Sequence, residues 1–422
     1  MVRKLVHRSG VARTPHGRRR RPVSRPFRTE FRVGRELYGP VSAAFDYQPT
    51  THVVFGCRTI GRLGEVAREL GGRRVLVVTD PHLVAAGHVA HGVESLRDAG
   101  LELVVFDGVE ENPTTRHVEA CAAFARQHAV DLIVGLGGGS AMDCAKGCNF
   151  VLTNGGRMQD YWGTSKATQP MLPMIAVPTT AGTGSEAQSF ALIADEKTHL
   201  KMACGDKKAA CRAAILDPEL TVTMPAAVTA ATGIDAMAHA IETYVTTRRN
   251  PISQLFSREA WRLLAANLEI VLRVPNHMEA RGAMLLGAHF AGAAIENSML
   301  GATHACANPL SAHYGIAHGV AIGLMLPHVI RFNGPAVPNL YAQLTGLAGV
   351  DSNHGKDATG CLAARIEELV SASGQPSRLS ECNVARDIIP VLAEEASKQW
   401  TGQFNPRPLE HRDFVELYQC AF

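Results

Sequence analysis

The sequence predicts two halves in one chain: an α/β half with a parallel sheet, followed by a half built of helices. Up to about residue 225, short β-branched runs alternate with amphipathic segments, which is the pattern of βαβ units. From Pro225 onward, apolar residues recur at three- and four-residue spacing, as in residues 257–272 and 281–294. A chain of 422 residues can hold two domains. We place them at residues 49–225 and 226–422.

The α/β half contains short apolar runs that we predict to be buried strands at residues 74–79, 101–106, 131–136 and 174–177. The third runs directly into the glycine turn Gly137–Ser140, and a helix should follow from about Ala141. Such a junction brings backbone N–H groups and a helix dipole to one point, where the pyrophosphate of a dinucleotide fits. A purely structural alternative is that Ser140 and Asp143 form a helix cap pair.

The helical half carries a possible metal site. Asp235 and His239 are four residues apart, a spacing that places both on one face of a helix. His304 and His318 are fourteen apart, with Pro309 and Gly315 between them to separate two helices. One carboxylate and three imidazoles suit a divalent first-row metal ion. The second pair lies in an almost charge-free stretch, where an unpaired polar ring would be costly.

These stretches together resemble the iron-containing alcohol dehydrogenases, a family that shares its fold with dehydroquinate synthase. The matching segments run from about Val54 to Phe422 and include GLGGGSAMDCAKG, PTTAGTGSE, GIDAMAHAIE, ATHACANPL and AHGVAIGLMLPH. The resemblance implies a Rossmann-like nucleotide domain followed by a helical metal-binding domain. It also implies that Asp235, His239, His304 and His318 bind the catalytic metal, which we expect to be Fe(II), with Zn(II) as the alternative.

The resemblance further implies NAD as the second cofactor. In the family, an aspartate at the position of Asp80 contacts the adenosine ribose and repels a 2′-phosphate, which favours NAD over NADP. Asp80 could also simply cap the turn at Pro81, and Lys201 could be a solvated strand lysine. The residues expected to contact the dinucleotide are Asp80, Asn112, Gly137, Gly138, Gly139, Ser140, Asp143, Thr179, Thr180, Thr183 and Lys201.

The activity implied by the resemblance is reversible hydride transfer between an alcohol, or its aldehyde or ketone, and NAD. The sequence departs from the family at one position. Many members have a histidine four residues after the third metal ligand, whereas this chain has Asn308. Asparagine can orient a water molecule or substrate but cannot carry a proton. The nearby His313 could take its place, or water and ribose hydroxyls could suffice for the proton. Asn308 and His313 are therefore the candidate catalytic residues.

Three other functions stay open at this stage. A lyase of the dehydroquinate synthase kind would use the same fold and cofactors, but it needs several Lys or Arg residues for a phosphorylated acid, and the motifs above are nearly free of them. A hydroxyacid-oxoacid transhydrogenase is a further alternative. A non-catalytic binding protein is disfavoured because all four metal ligands and the glycine turn are present.

The basic residues are concentrated at the N-terminus. Residues 1–30 hold ten Lys or Arg and one acid, Glu30, and the rest of the chain is mildly acidic. We expect residues 1–48 to be a disordered tail. It could bind a polyanion, act as a transit peptide or be an incidental extension, and we favour the last.

The cysteine content and the lengths of the apolar runs indicate the compartment in which the protein works. Ten scattered cysteines favour a reducing compartment, so we expect a cytoplasmic protein, or an organellar one if the tail is a transit peptide. No run is apolar and long enough to span a membrane. Expected partners are a small alcohol or aldehyde and further copies of the chain in a homodimer or larger assembly. Nucleic acid is not favoured.

Overall fold

The computed structural model describes residues 45–198, 200–349 and 357–422. Within them, a six-stranded parallel sheet has the order β1-β9-β6-β4-β2-β3, and a three-stranded sheet has the order β5-β8-β7. The strands are β1 (His52–Phe55), β2 (Arg74–Val78), β3 (Glu102–Phe106), β4 (Leu132–Gly137), β5 (Gly163–Thr164), β6 (Met174–Pro178), β7 (Phe190–Ala194), β8 (Lys201–Gly205) and β9 (Ala213–Leu216).

The central strands of the larger sheet are apolar because helices cover both faces. Every residue of β4 and β6 is buried, and so is β2 apart from Arg74. In register, Val75 lies opposite Leu103 on one side and Leu132 on the other. The parallel sheet and its four predicted strands are therefore confirmed, each to within one residue at either end.

The direction of the chain across this sheet reverses between β2 and β4. From β2 the chain moves outward to β3, returns to β4 on the other side of β2, and continues to β6. In an open α/β sheet such a reversal leaves a crevice at the carboxyl ends of the two strands, which is where ligands bind. Here the crevice lies between Asp80, which follows β2, and the glycine turn that ends β4.

Helices cover the sheet and then build the second half by themselves. They are α1 (Leu63–Glu69), α2 (Pro81–Ala85), α3 (His88–Asp98), α4 (Thr115–Gln127), α5 (Gly139–Asn154), α6 (Ala226–Val245), α7 (Pro251–Arg273), α8 (Met278–Glu296), α9 (Ala302–Tyr314), α10 (His318–Asn333), α11 (Pro338–Leu347), α12 (Ala358–Ala372), α13 (Ile389–Ser397) and α14 (His411–Cys420). The predicted helices at residues 257–272 and 281–294 lie inside α7 and α8.

The middle of the helical half is α6. It packs against α7, α8 and α10, and all its residues from Gly233 to Val245 are buried. A helix surrounded by other helices is expected to be apolar on all sides rather than amphipathic. The alanine-rich sequence of α6 fits this position, and it makes its three buried charged or ionisable side chains, Asp235, His239 and Glu242, conspicuous.

The two halves meet at glycines, in what we call the glycine seam: Gly182, Gly184 and Gly292. A Cβ atom on Gly182 would lie 2.6 Å from Cβ of Thr232 in α6. Gly184 and Gly292 of α8 face each other so closely that a Cβ on Gly292 would lie 2.3 Å from the Gly184 carbonyl oxygen. The seam thus fixes the loop after β6 against the helical half by main-chain contact.

None of the described helices combines the length and the apolar character that crossing a bilayer requires. The predicted tail at residues 1–48 lies almost entirely outside the described residues, so the three interpretations of it stay open. The predicted domain limits also stay predictions; the last strand of the large sheet ends at Leu216 and α6 begins at Ala226.

Candidate metal centre and cofactor crevice

Three helices bring the four predicted metal ligands together. Asp235 and His239 lie one turn apart on α6, His304 is the third residue of α9, and His318 is the first residue of α10. The separation of α9 from α10 has one cause rather than the two that we predicted. Gly315, at φ 62°, ends α9, whereas Pro309 stays inside the helix.

The side chains converge on a single carboxylate oxygen. Oδ1 of Asp235 lies 3.3 Å from Nε2 of His239, 3.4 Å from Nε2 of His304 and 3.7 Å from Nε2 of His318. Ligand atoms that are each about 2.1 Å from a shared tetrahedral ion lie about 3.4 Å apart, so these separations match a metal coordination shell. Among the described residues, neither Asp235 Oδ1 nor His304 Nε2 has a hydrogen-bond partner, although both atoms are buried. A metal ion would satisfy both, so the residues fit the predicted group.

The cluster is open on one side only. The side chains of Asp235, His239 and His304 are 5–6 % exposed, whereas that of His318 is 29 % exposed. A substrate therefore has to approach from the side of His318.

The charges around the cluster favour metal binding. Burial would raise the pKa of Asp235, but the surrounding histidines, His239 first among them, outweigh it and hold that pKa well below its usual range. Burial lowers the pKa of His239, and it lowers the pKa of His318 to about 3, so both rings are neutral at physiological pH. Neutral imidazole nitrogens beside an ionised carboxylate are the form that binds a divalent cation.

A fifth residue, Glu242, orients the third ligand. Its buried carboxylate accepts hydrogen bonds from the backbone N–H groups of Gly301 (3.1 Å) and Thr303 (2.6 Å), at the start of α9. The same carboxylate lies 2.6 Å from Nδ1 of His304. Burial disfavours the charged form of His304, but Glu242 and Asp235 raise its pKa to about 9, so this ring gives up a proton when it binds a metal ion. Glu242 thus directs Nε2 of His304 toward Asp235, as carboxylates behind metal-bound histidines do.

Sequence analysis did not single out Glu242, although its spacing carried a signal. It follows Asp235 by seven residues and His239 by three, which places all three on one helix face.

Gly319 sets the position of the fourth ligand. A Cβ atom on Gly319 would lie 2.1 Å from the backbone oxygen of Ala231 in α6. We expect Gly319→Ala to push the start of α10 away from α6, moving His318 from Asp235 and lowering the free energy of unfolding by about 1–3 kcal/mol. Metal titration and thermal unfolding would measure both effects. Gly346→Ala is the control, because a Cβ there meets no atom within 4 Å; an equal loss in both variants would contradict the prediction.

The cofactor crevice begins at the glycine turn. Gly137 has φ 156°, and a Cβ atom there would lie 2.7 Å from Cβ of Ala141. A Cβ on Gly139 would lie 2.7 Å from Cγ2 of Thr183. Gly137 and Gly139 are therefore required by packing against their neighbours. The helix begins at Gly139, two residues earlier than predicted.

The proposed cap pair at this turn is wrong. The N-cap of α5 is Gly138, without a side-chain hydrogen bond. Ser140 Oγ instead accepts a hydrogen bond from the backbone N–H of Asn112 (3.3 Å), and Asn112 has φ 54°. The carboxylate of Asp143 is bound by Ser185 Oγ (2.7 Å) and by the backbone N–H of Leu192 (3.2 Å). Both carboxylate oxygens of Asp143 thus accept hydrogen bonds, and these bonds connect α5 to the chain after β6.

Asp80 caps α2 with one carboxylate oxygen and turns the other toward the crevice. Its Oδ1 accepts hydrogen bonds from the backbone N–H groups of His82 (2.9 Å) and Leu83 (3.1 Å), which caps α2. Its other oxygen, Oδ2, faces Gly137 across the crevice. Capping thus leaves the second carboxylate oxygen beside Gly137.

The remaining predicted cofactor residues surround the same crevice. The backbone N–H of Thr179 donates to the Gly137 carbonyl (3.0 Å), and the side chains of Thr180 and Thr183 pack over Gly138 and Gly139. Lys201 is exposed at the start of β8. The charge of its ammonium group adds to the effect of burial in lowering the pKa of His318.

The two candidate catalytic residues have different surroundings. Asn308 lies one turn beyond His304 on the same face of α9, and its Nδ2 donates to Oε1 of Gln399 (3.0 Å). His313 contacts Glu395 (2.9 Å) near the exposed end of the helix. Nine residues separate His313 from His304, which is about 13 Å along a helix. The structure therefore keeps Asn308 within one helical turn of His304, whereas His313 lies more than two turns away.

Comparison with known proteins agrees with this geometry. Residues 49–218 match the family model "Iron-containing alcohol dehydrogenase", and residues 229–422 match "Fe-containing alcohol dehydrogenase family, C-terminal". The chain is 36 % identical to the 1,3-propanediol dehydrogenase of Klebsiella pneumoniae, over 90 % of this chain and 99 % of that protein.

Solved structures show the same architecture. A 1,3-propanediol oxidoreductase superposes with a TM-score of 0.88 at 36 % identity, covering 90 % of this chain and 100 % of the other. A sulfoacetaldehyde reductase from Bifidobacterium kashiwanohense in complex with NAD+ superposes with a TM-score of 0.81 at 28 % identity, covering 90 % of this chain and 99 % of the other.

Fold and site together define a metal-dependent oxidoreductase that acts on alcohols or aldehydes. The chain belongs to the iron-containing alcohol dehydrogenase family. The predicted two-part fold and enzyme class are confirmed, and the lyase, transhydrogenase and binding-protein alternatives are not favoured. NAD and iron are the cofactors of the family, as predicted.

Proposed function

We propose that the protein catalyses the reversible oxidation of a small alcohol by NAD at an Fe(II) centre held by Asp235, His239, His304 and His318. The supporting observation is the convergence of three Nε2 atoms on Asp235 Oδ1, at 3.3–3.7 Å, with one open side. His-rich ligation suits Fe(II) and Zn(II) alike, and membership of the family favours iron over zinc.

The metal ligands, the cofactor crevice and Asn308 would have different roles in this reaction. A bound divalent ion supplies Lewis acidity, which polarises the substrate oxygen. Asp80, the glycine turn Gly137–Ser140 and the loop after β6 would hold NAD+, and the bound cofactor would accept the hydride of the alcohol while the hydroxyl proton goes to solvent. Alcohol and NAD+ thus give aldehyde or ketone, NADH and one proton. Asn308 orients the substrate or a water molecule rather than carrying the proton itself.

One experiment tests the proposal. Purified protein is stripped by a chelator, reloaded with Fe(II) or Zn(II) without oxygen, and assayed for NADH formation with short primary alcohols, diols and 2-hydroxy acids. We expect metal-dependent turnover in the wild type and none in His304→Ala. Tight binding of metal and NAD without turnover on any substrate would contradict the proposal.

We further propose that Asp80 selects NAD over NADP. Asp80→Asn keeps the hydrogen bonds that cap α2, because asparagine is as good an N-cap residue as aspartate, but it removes the charge beside Gly137. The ratio of kcat/KM for NAD+ to that for NADP+ should fall roughly tenfold, since like-charge repulsion is lost. Steady-state kinetics with both cofactors measure this ratio, and unfolding temperature checks the cap. An unchanged ratio would remove Asp80 from the ribose site.

The cellular setting is also a proposal. All ten cysteines lie in the described residues, and none forms a disulfide there. This supports a reducing compartment, which we propose to be the cytoplasm, or an organelle if the N-terminal tail is a transit peptide. We propose a homodimer or larger assembly, which light scattering would establish.

A further inference from the structure

A fully buried lysine lies in the middle of α5. Lys146 is the eighth residue of this helix, and its side chain has no exposed surface. Its ammonium nitrogen Nζ donates hydrogen bonds to the Ser185 carbonyl oxygen (2.6 Å), to Ser185 Oγ (2.8 Å) and to the Phe190 carbonyl oxygen (2.9 Å). An ammonium group has three N–H donors, so these acceptors occupy all of them. Sequence analysis did not single out this residue.

An ammonium group is costly at a buried position. Removing a charge from water is unfavourable unless hydrogen bonds and an opposite charge compensate it. Here the opposite charge is Asp143, one turn earlier on the same face of α5, and Ser185 Oγ donates to it (2.7 Å). Burial raises the pKa of the Asp143 carboxyl, and the nearby charge of Lys146 works against this shift. What the ammonium group provides, and an apolar side chain would not, is a fixed direction for two backbone carbonyl groups.

These carbonyl groups belong to the loop after β6 (residues 179–189) and to the start of β7. Asp143 adds a hydrogen bond from the backbone N–H of Leu192 (3.2 Å), so the chain is fastened to α5 at Ser185, Phe190 and Leu192. The same helix begins at the glycine turn. It therefore carries the proposed pyrophosphate site at its first residue and the fastening of the loop about two turns later.

The opposite side of the loop is fixed to the helical half. Gly184 lies against Gly292 of α8 in the glycine seam. Glu296, also on α8, accepts hydrogen bonds from the backbone N–H (2.9 Å) and the hydroxyl group (2.8 Å) of Ser189. The loop is thus held between α5, which carries the glycine turn, and α8, which packs against the metal-binding helix α6. Loss of Lys146 would loosen the loop from α5 and leave it attached to α8.

The loop lies where the nicotinamide half of the cofactor is expected. Strands β2, β4 and β6 are neighbours in the sheet, and their carboxyl ends lead into Asp80, the glycine turn and the loop, in that order. With the adenosine ribose at Asp80 and the pyrophosphate at the glycine turn, the nicotinamide half falls to the loop. Gly182 of the loop packs against Thr232 of α6, three residues before the first metal ligand.

We propose that Lys146 is a positioning residue for hydride transfer, because it holds the loop after β6 in the conformation that directs the nicotinamide ring toward the substrate. This rests on the proposed function. The three donors of Lys146 are occupied, so the residue acts through the loop and does not bind the cofactor itself.

The test compares the binding of NADH with that of ADP-ribose, which lacks the nicotinamide ring. Lys146→Met keeps a side chain of similar length without the charge. Calorimetry on metal-loaded protein should show an NADH affinity about tenfold lower than in the wild type, because the loop is no longer preorganised. The affinity for ADP-ribose should stay within about twofold, since the glycine turn and Asp80 are unchanged. Unchanged affinity for both ligands, or an equal loss for both, would overturn the proposal.

A second readout follows the chemical step. In a single turnover, NADH formation by Lys146→Met should be about 10²-fold slower, because a small misplacement of the reacting groups has an effect of this size. A substrate deuterated at the carbinol carbon should show a larger isotope effect on kcat than in the wild type. Metal affinity should not change. A wild-type rate of hydride transfer would contradict the positioning role.

Two further variants control the experiment. Arg126→Met removes a hydrogen bond to the Val151 carbonyl (2.8 Å) near the other end of α5, and it should leave NADH binding and hydride transfer unchanged. Ser185→Ala removes only the hydroxyl group between Lys146 and Asp143, and it should lower NADH affinity roughly threefold without affecting ADP-ribose. If Lys146→Met does not fold, Ser185→Ala decides, and wild-type NADH affinity there would overturn the proposal.

The outcomes separate the two proposals. A wild type that oxidises alcohols, with Lys146→Met equal to it, overturns the role of Lys146 and leaves the dehydrogenase intact. A wild type that binds both ligands but oxidises no alcohol refutes the proposed function, and the ligand comparison still decides whether Lys146 holds the nicotinamide site. A wild type that binds neither ligand overturns both proposals.

Discussion

Asp235→Asn is expected to abolish turnover and to lower the affinity for Fe(II) and Zn(II) more than any other single substitution. Its Oδ1 is the atom on which His239, His304 and His318 all converge. Asparagine has nearly the same shape but no charge, so the ion would be held by neutral groups alone. A metal ion contributes several kcal/mol to the transition state, and kcat/KM should therefore fall by about 10³-fold or more.

The measurement is metal content after equilibration in a metal buffer, together with NADH formation. Asp217→Asn is a matched control, because Asp217 is also a buried carboxylate that accepts backbone N–H hydrogen bonds, from Ile60 and Glu219, away from the cluster. The control should bind metal normally. Wild-type metal affinity in Asp235→Asn would show that the cluster is not the metal site.

Glu242→Gln should have the second-largest effect, although Glu242 does not belong to the four predicted ligands. The carboxylate accepts from three N–H groups, on Gly301, Thr303 and His304. A glutamine side chain must turn an NH2 group toward at least one of these donors. We expect a loss of about 1–3 kcal/mol in the free energy of unfolding from the unsatisfied donor, and a 10- to 100-fold loss of metal affinity from the misdirected His304.

Competition with a chelator of known affinity measures the metal, and denaturant unfolding measures the stability. Glu296→Gln separates the two effects, since Glu296 accepts from the backbone and hydroxyl of Ser189 and hydrogen-bonds to no histidine among the described residues. This control should lose stability and keep its metal affinity. If both variants lost metal affinity equally, general loosening rather than the orientation of His304 would be the cause.

Local patterns made much of the fold and site predictable. The strands around Val75 and Leu132 are continuous apolar runs, and the four-residue spacing of Asp235 and His239 fixes their common helix face. The convergence of His304 and His318 needed only a break between two helices, which Gly315 supplies.

Features that depend on distant residues were not predictable in the same way. The start of α5 is set by Thr180 and Thr183, which pack against Gly138 and Gly139 from about forty residues away, so a local capping rule pointed wrongly to Ser140 and Asp143. The partner of Asn308, Gln399, follows α13 and is 91 positions further along the chain, so no periodicity in the sequence links the two. His313 is only nine residues from His304 in sequence, but the rise of α9 places it about 13 Å further along the helix axis.

The glycine seam has a consequence for how this scaffold can change. Gly182, Gly184 and Gly292 contact their neighbours through main-chain and Cβ positions. A change of side-chain rotamer therefore cannot alter the distance between the cofactor crevice and the metal cluster. Substitutions at the seam would disturb the geometry of hydride transfer for every substrate at once. New specificities are therefore best sought in laboratory evolution at positions near the metal cluster, such as Asn308, with the seam left untouched.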